Sequence, residues 1–257
     1  DLAVLRRLVK RPPPVLAFVM GLLPLSGAGA RRTDALLRGM TLLSISEGEL
    51  AFLRPRLPHV ALEYVPFGVD ARYWAPGESL QDDYVLSIGN DANRDFATLA
   101  DAWTPTLPPL RIVTSRPVAP RPNVTVIRAD WREQLLSDAE IRDLYRRARA
   151  VVVPLRQTAQ PAGQSVTLQA MACGRPVILT RTVGLWDAEV LRDRETCRLV
   201  APGDGAGLVR AARDLLEHPV EAEAMAARGR AAVLGKLTAE HMVDALVTVL
   251  SRVLRRR

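Results

Sequence analysis

The sequence is poor in cysteine, histidine and lysine, and the first two shortages each close off a class of function. Its two cysteines, Cys173 and Cys197, show neither metal-ligand spacing nor a disulfide framework. Each sits among apolar or small residues, as buried free thiols do in a reducing compartment. The three histidines, His59, His218 and His241, stand far apart with no acidic neighbour patterned as a catalytic pair, so no general base is assigned. No aspartate triplet of the kind that holds a divalent cation occurs, and metal-free chemistry with no cofactor is expected. No G-x-G-x-x-G follows a strand pattern, which argues against a nicotinamide-dependent dehydrogenase. No apolar run reaches the roughly 20 residues that span a bilayer. The most apolar stretch, 15–25 (VLAFVMGLLPL), suits a buried strand or loop, or a surface patch leaning on a membrane. No signal-peptide pattern follows Asp1, and repeats and low-complexity runs are lacking.

What is present is ordinary for a globular chain: 257 residues, 48% hydrophobic and 25% charged. The formal net charge is +7. Lysine occurs only at Lys10 and Lys236, so arginine carries the excess. The arginines are spread along the chain rather than massed, which fits compositional bias as well as an anionic partner. No motif supports sequence-specific nucleic-acid binding.

From residue 84 onward, short apolar runs alternate with amphipathic stretches. Strands are predicted at 84–88, 110–114, 124–127, 150–154 and 177–180. They are β-branched and almost continuously apolar, as strands buried on both faces are. Helices are predicted at 94–103, after the capping-box pair Ser137 and Glu140, over 165–173 with Gly174 just past its end, and from an Asp204 cap to His218, where Pro219 stops it. This alternation predicts an α/β fold, a doubly wound parallel sheet with ligands at the carboxyl ends of its strands. Before residue 84, the pattern gives a strand at 42–46, a helix at 47–57 bent or ended by Pro55, and a turn-rich hinge at 66–70. That front section reads as too poor in strands for a sheet of its own. Residues 239–254 are amphipathic, with Met242, Leu246, Val249 and Leu250 on one face.

The chemistry concentrates in 160–176 (QPAGQSVTLQAMACGRP), where a glycine-containing loop runs straight into a helix. Free backbone N–H groups around Gly163, Gln164, Ser165 and Val166, aided by the helix dipole, make an anion site. Gln169, about one turn further along, is spaced to reach a second part of the same ligand, as a diphosphate joined to a ribose would require. A polar loop with a glycine turn is the plain structural alternative.

The stretch Gln169-Ala170-Met171-Ala172-Cys173-Gly174-Arg175-Pro176-Val177-Ile178 resembles the signature of family-four retaining glycosyltransferases of GT-B architecture. Phe67-Gly68-Val69-Asp70 with Trp74 and Pro76 resembles that family's interdomain linker. Ser87-Ile88-Gly89 resembles its first donor-domain strand and phosphate loop. Gly184-Leu185, Arg198-Leu199-Val200 and Pro202-Gly203-Asp204 resemble the closing segment. The resemblance departs where the family has two glutamates: Pro161 falls on the first and Gln169 on the second. It implies that Gln169 binds ribose and that Gln160 is the nearest substitute for the missing donor-sugar contact. Asn90 falls on an arginine, and Arg94 near a lysine, that grip the diphosphate beside Gly89. Ser115, Arg116, Asp130 and Trp131 follow strands where the base is expected.

The resemblance further implies a domain plan: residues 1–65 a remnant of an acceptor-side domain, 66–236 the nucleotide-sugar-binding domain, and 237–257 a helix crossing back. The implied activity is hexosyl transfer with anomeric retention from a UDP- or GDP-sugar to a glycan or lipid-linked hydroxyl acceptor, in polysaccharide or glycolipid synthesis. The expected setting is the cytoplasm, with peripheral contact at the inner membrane face. A non-catalytic GT-B binding or scaffold protein and a sugar-nucleotide epimerase are the alternatives.

Overall fold

The computed structural model describes residues 14–21, 29, 33, 35–77, 82–129 and 135–255. Near the start, β1 (Val15–Val19), β2 (Met40–Ser44) and β3 (Ala61–Tyr64) form a parallel three-stranded sheet in the order β1-β2-β3. This corrects the expectation that the front section cannot build its own sheet. The strand that reasoning from pattern missed is β3, four residues (ALEY) whose half-polar sequence lacks an apolar run. It is stabilised by register with β2 and by a helix that arrives from the far end of the chain.

The larger sheet contains β4 (Val85–Ile88), β5 (Leu110–Thr114), β6 (Val124–Arg128), β7 (Ala150–Val153), β8 (Val177–Thr180) and β9 (Arg198–Val200). All its pairings are parallel, in the order β6-β5-β4-β7-β8-β9. The winding reverses between β4 and β7, which opens a crevice at their carboxyl ends. The doubly wound α/β expectation therefore holds. Successive strand residues feed opposite layers, as a period of two dictates. Leu86, Val151, Val153 and Leu179 pack with Tyr145, Leu168 and Met171. Val85, Val152 and Ile178 pack with Leu99 and Leu208 on the other face.

The helices are α1 (Glu47–Leu53), α2 (Phe96–Ala102), α3 (Asp138–Arg147), α4 (Gln164–Ala172), α5 (Gly205–Glu217), α6 (Pro219–Lys236) and α7 (Ala239–Arg255). Ser137 and Glu140 form the complete capping box at the start of α3. Asp204 caps α5 by accepting from the Gly207 N–H. α1 ends before Pro55 rather than at residue 57. Pro219 follows the end of α5 but also begins α6, which the sequence reading did not anticipate. Its missing N–H is harmless at a first helical position, where no intrahelical partner exists.

The two crossings between the sheets lie side by side: Val69 N–H donates to Leu237 O (3.1 Å) and Ala239 N–H to Val69 O (3.0 Å). From there α7 lays Met242, Leu246, Val249 and Val253 onto Leu16 and Leu43 of the first sheet and Val65 just past β3. Arg252 pairs with Glu63 at 2.9 Å. Leu250, expected on the packed face, points outward with Val243, Val247 and Leu254. Among the described residues no helix is long and apolar enough to cross a membrane.

Both cysteines are fully buried and unbonded. Burial pushes the Cys173 thiol up to about 11 and the Cys197 thiol up to about 12, so neither supplies thiolate near neutrality. At pH 8 neither is expected to react with an aromatic disulfide reagent until denaturant is added. Counting titratable thiols before and after unfolding checks this.

Candidate active site

The crevice between β4 and β7 is lined by the loop after β4 and by the start of α4. Gly163, the N-cap of α4, adopts the left-handed conformation (φ 72°, ψ 7°), and no side chain caps the helix. Gln164, Ser165 and Val166 N–H groups have no protein acceptor among the described residues. These are the unfilled donors of a helix start, carrying its positive dipole end. Of the helix's residues, only Ser165 and Gln169 are not buried; they lie one turn apart on the same face.

Beneath this helix start lies Arg94, only 4% exposed. A Cβ on Gly163 would come within 3.1 Å of Arg94 Nη1 and 2.6 Å of Val153 Cγ1; one on Gly89 (φ 154°) would come within 2.1 Å of Arg94 Nε. Both glycines therefore let the backbone close around the guanidinium. Arg94 Nε lies 2.8 Å from Asp91 Oδ2. Its Nη1 is buried without a hydrogen-bond partner. Burial pulls the Arg94 pKa below its usual value, opposed by the nearby Asp91 carboxylate. Arg94 is thus a buried cation under the start of α4, with donor capacity to spare.

Two expected diphosphate ligands are placed otherwise. Asn90 does not turn toward α4. Its Oδ1 accepts from Ser115 N–H (2.6 Å) and Thr114 Oγ1 (3.2 Å), and its Nδ2 donates to Ala129 O (3.0 Å). An amide, unlike the arginine that the resemblance places there, is short enough to satisfy both neighbouring loops. The Gln164 side chain also points away, donating from Nε2 to Ile45 O (2.8 Å) in the segment after β2. Only its backbone N–H serves the helix start. Gln169 is half-buried, and its Oε1 accepts from Tyr145 Oη (3.3 Å), leaving the amide nitrogen without a protein partner among the described residues. Gln160 is exposed between the two sheets: it accepts from Asn93 Nδ2 (3.1 Å) and packs against Gly21. Ser115 is exposed and Arg116 half-buried at the end of β5. Asp130 and Trp131 lie outside the described residues.

Sequence reasoning missed the residues that tie the front sheet to this crevice. Ser46 Oγ donates to Gly184 O (3.1 Å), and the Glu47 and Gly48 N–H groups donate to Trp186 O and Leu185 O. Glu49 stands three residues after Ser46, the capping-box spacing, but its buried carboxylate accepts from Ser44 Oγ (2.6 Å) and Gly21 N–H (2.5 Å), fixing the turn after β1. Asp187 is fully buried and accepts from the Glu189 and Val190 N–H groups (3.0 Å each), with Lys236 Nζ at 2.9 Å and Tyr64 Oη at 3.3 Å. The contacts from Ser46, Glu47 and Gly48 to 184–186, and those of Asp187 with Tyr64 and Lys236, join segments far apart in the chain, so local pattern held no sign of them. The Ser-x-x-Glu spacing of Ser46 and Glu49 was the one available signal.

Elsewhere, hollows of about 420 and 480 Å³ border the β9 edge and are lined by Arg194, Arg198 and Arg210. Arg198 and Arg210 are already paired with Asp214 and Asp204. Neither hollow adjoins the crevice. Among the described residues no group of three or more His, Cys, Asp or Glu is placed to hold a metal.

Residues 83–218, which hold the helix start, Arg94 and the whole larger sheet, match the family model described as glycosyl transferases group 1. The chain belongs to that family. No curated protein matches it in sequence. Solved structures of similar fold include a sucrose-phosphate synthase from Thermosynechococcus elongatus (TM-score 0.76, 20% identity, 94% of this chain and 68% of that one). A glycosyltransferase from Rickettsia africae gives TM-score 0.75 at 11% identity, covering 94% of this chain and 71% of that one. Anabaena HepE, solved in complex with UDP and glucose, gives TM-score 0.75 at 16% identity, over 97% of this chain and 74% of that one. At these identities the likeness shows the fold, the GT-B arrangement. Within the group 1 family model fall both the glycine-flanked Arg94 and the α4 start.

Proposed function

We propose that this chain carries the donor side of an enzyme that transfers a hexosyl group from a nucleoside-diphosphate sugar to a hydroxyl acceptor, with retention at the anomeric carbon. The observation that carries the reading is the start of α4: three unpartnered N–H groups above a buried arginine with an unpartnered Nη1. As the glycosidic bond to the donor breaks, negative charge gathers on the leaving diphosphate. Fixed N–H dipoles and a cation in a dry pocket stabilise that charge without reorganising. The positive charge comes from the chain itself, so neither a metal nor a cofactor is assigned to the step. Gln160, facing Gly21 in the turn after β1, would meet the donor sugar, and Gln169 the ribose. UDP is bound by HepE, a protein of like fold, and a uridine or guanosine diphosphate is the ligand proposed here.

In this reading residues 1–65 belong to the acceptor-side domain, 66–236 bind the donor, and 237–257 return to the first domain. Acceptors in polysaccharide or glycolipid synthesis, at the inner membrane face, complete the proposal. Pro161 and Gln169 favour a second reading, a family member that binds donor without transferring it. Calorimetric titration with UDP, GDP and their sugars tests the common part. Micromolar binding of one nucleoside diphosphate, with NAD inert, is expected; no binding of any would sink both readings. Product formation by the full-length protein separates the two, since only the enzyme turns over sugar nucleotide in the presence of acceptor.

A further inference from the structure

Gln164 has two roles at once. Its backbone N–H is the first of the three free donors at the start of α4, while its side chain reaches the segment after β2. Nε2 donates to Ile45 O at 2.8 Å, joining positions 119 residues apart. A carbonyl can only accept, so the amide nitrogen is fixed as the atom facing it. Oε1 has no partner among the described residues, which leaves this bond as the side chain's one polar tie. The residue is only 5% exposed, so water does not compete for that tie. Ile45 lies between the end of β2 and Ser46, the N-cap of α1. The same short segment also meets the loop after β8. Ser46 Oγ donates to Gly184 O (3.1 Å), Glu47 N–H to Trp186 O (3.0 Å) and Gly48 N–H to Leu185 O (3.2 Å). A Cβ on Gly48 would come within 2.6 Å of Leu185 O, so the approach depends on a glycine there. Residues 45–48 are thus held by both the α4 start and the loop after β8. Among the described residues, Gln164 is the only member of α4 with a side-chain hydrogen bond to them.

We propose that Gln164 is a positioning residue that couples the front sheet to the diphosphate site. By holding Ile45 it fixes where the α4 N–H groups point, and a bound diphosphate in turn tightens residues 45–48 against the loop after β8. The inference rests on the donor-site reading above. Its physical ground is linkage: if the bond to Ile45 favours the helix-start geometry that binds the anion, the anion favours that bond by the same factor. One side chain then carries donor occupancy to the sheet read as the acceptor side.

The experiment is amide hydrogen exchange of the full chain, free and saturated with UDP or GDP, for wild type, Gln164→Met and Ser46→Ala. The Glu47 and Gly48 N–H groups exchange only when their bonds to Trp186 O and Leu185 O open, so peptides over 44–53 read the contact directly. Methionine is close to glutamine in length and lacks the donor. In wild type, nucleotide should slow exchange both at 164–172 and at 44–53. Gln164→Met should keep the first response and lose the second, with affinity down about fivefold or more. Ser46→Ala breaks the bond to Gly184 O but leaves that to Ile45 O, and should keep both responses. A merely structural role would lower the melting temperature of Gln164→Met and leave the response at 44–53 in place; that result overturns the proposal. So does wild type protected at 164–172 alone, or a Ser46→Ala variant that loses the 44–53 response as Gln164→Met does. If Gln164→Met does not fold, Gln164→Asn, one methylene shorter in its reach toward Ile45 O, must show the same selective loss. Wild type that binds neither nucleotide removes the donor-site reading itself, and the proposal with it.

Discussion

Replacing Arg94 with methionine is expected to weaken nucleoside-diphosphate binding by about 1.5–3 kcal/mol, roughly ten- to a hundredfold, with little loss of stability. The loss of affinity follows from removing the one buried cation beneath the α4 start, whose Nη1 has no partner in the protein. The tolerance follows from the cost of keeping a charge there. Burying a guanidinium costs several kcal/mol of hydration, and a flexible apolar side chain of similar length avoids that penalty. Asp91, the partner left behind, is part-exposed and can be hydrated. Titration gives the affinity and thermal unfolding the stability of the same sample. A well-folded variant with wild-type affinity would remove Arg94 from the site.

Gly163→Ala should damage both properties. A residue with a Cβ at φ 72° carries about 1–2 kcal/mol of backbone strain. The added atom would also sit 2.6 Å from Val153 Cγ1 and 3.1 Å from Arg94 Nη1, closer than any ordinary contact. Relief requires the loop to lift or the helix start to rotate, and either aims the three free N–H groups away from a shared anion. Affinity is expected to fall at least as far as for Arg94→Met, with a lower denaturation midpoint. Denaturant unfolding alongside titration checks both. Retained affinity would mean that the anion does not lie against this turn.

Period and punctuation made the larger sheet legible. Five apolar β-branched runs gave five of its strands, and the capped helix starts at Ser137 and Asp204 were readable, whereas the Asp95 cap of α2 was not. Gly174 just past α4 also has the left-handed conformation that such a position demands. The α4 start was legible because a helix entered from a glycine has a defined set of orphan donors. Placement of the polar side chains around it was not. Asn90, Gln164 and Glu49 have chemistries that suit a ligand equally well, and what decides their role is a partner 28 to 119 residues away. Strand β3 was missed for a related reason: it is held by β2 and α7, not by its own apolar content.

Amide hydrogen exchange across the chain, with and without UDP or GDP, tests the central claim most directly. The Gln164, Ser165 and Val166 N–H groups lack protein acceptors, so a bound diphosphate should slow exchange in peptides covering the start of α4 and the loop after β4. Peptides over the arginine-lined hollows at α5 should stay unchanged. Protection at α4 with silence at α5 is the predicted result. Protection at the β9–α5 edge alone, with α4 exchanging as before, would contradict the account.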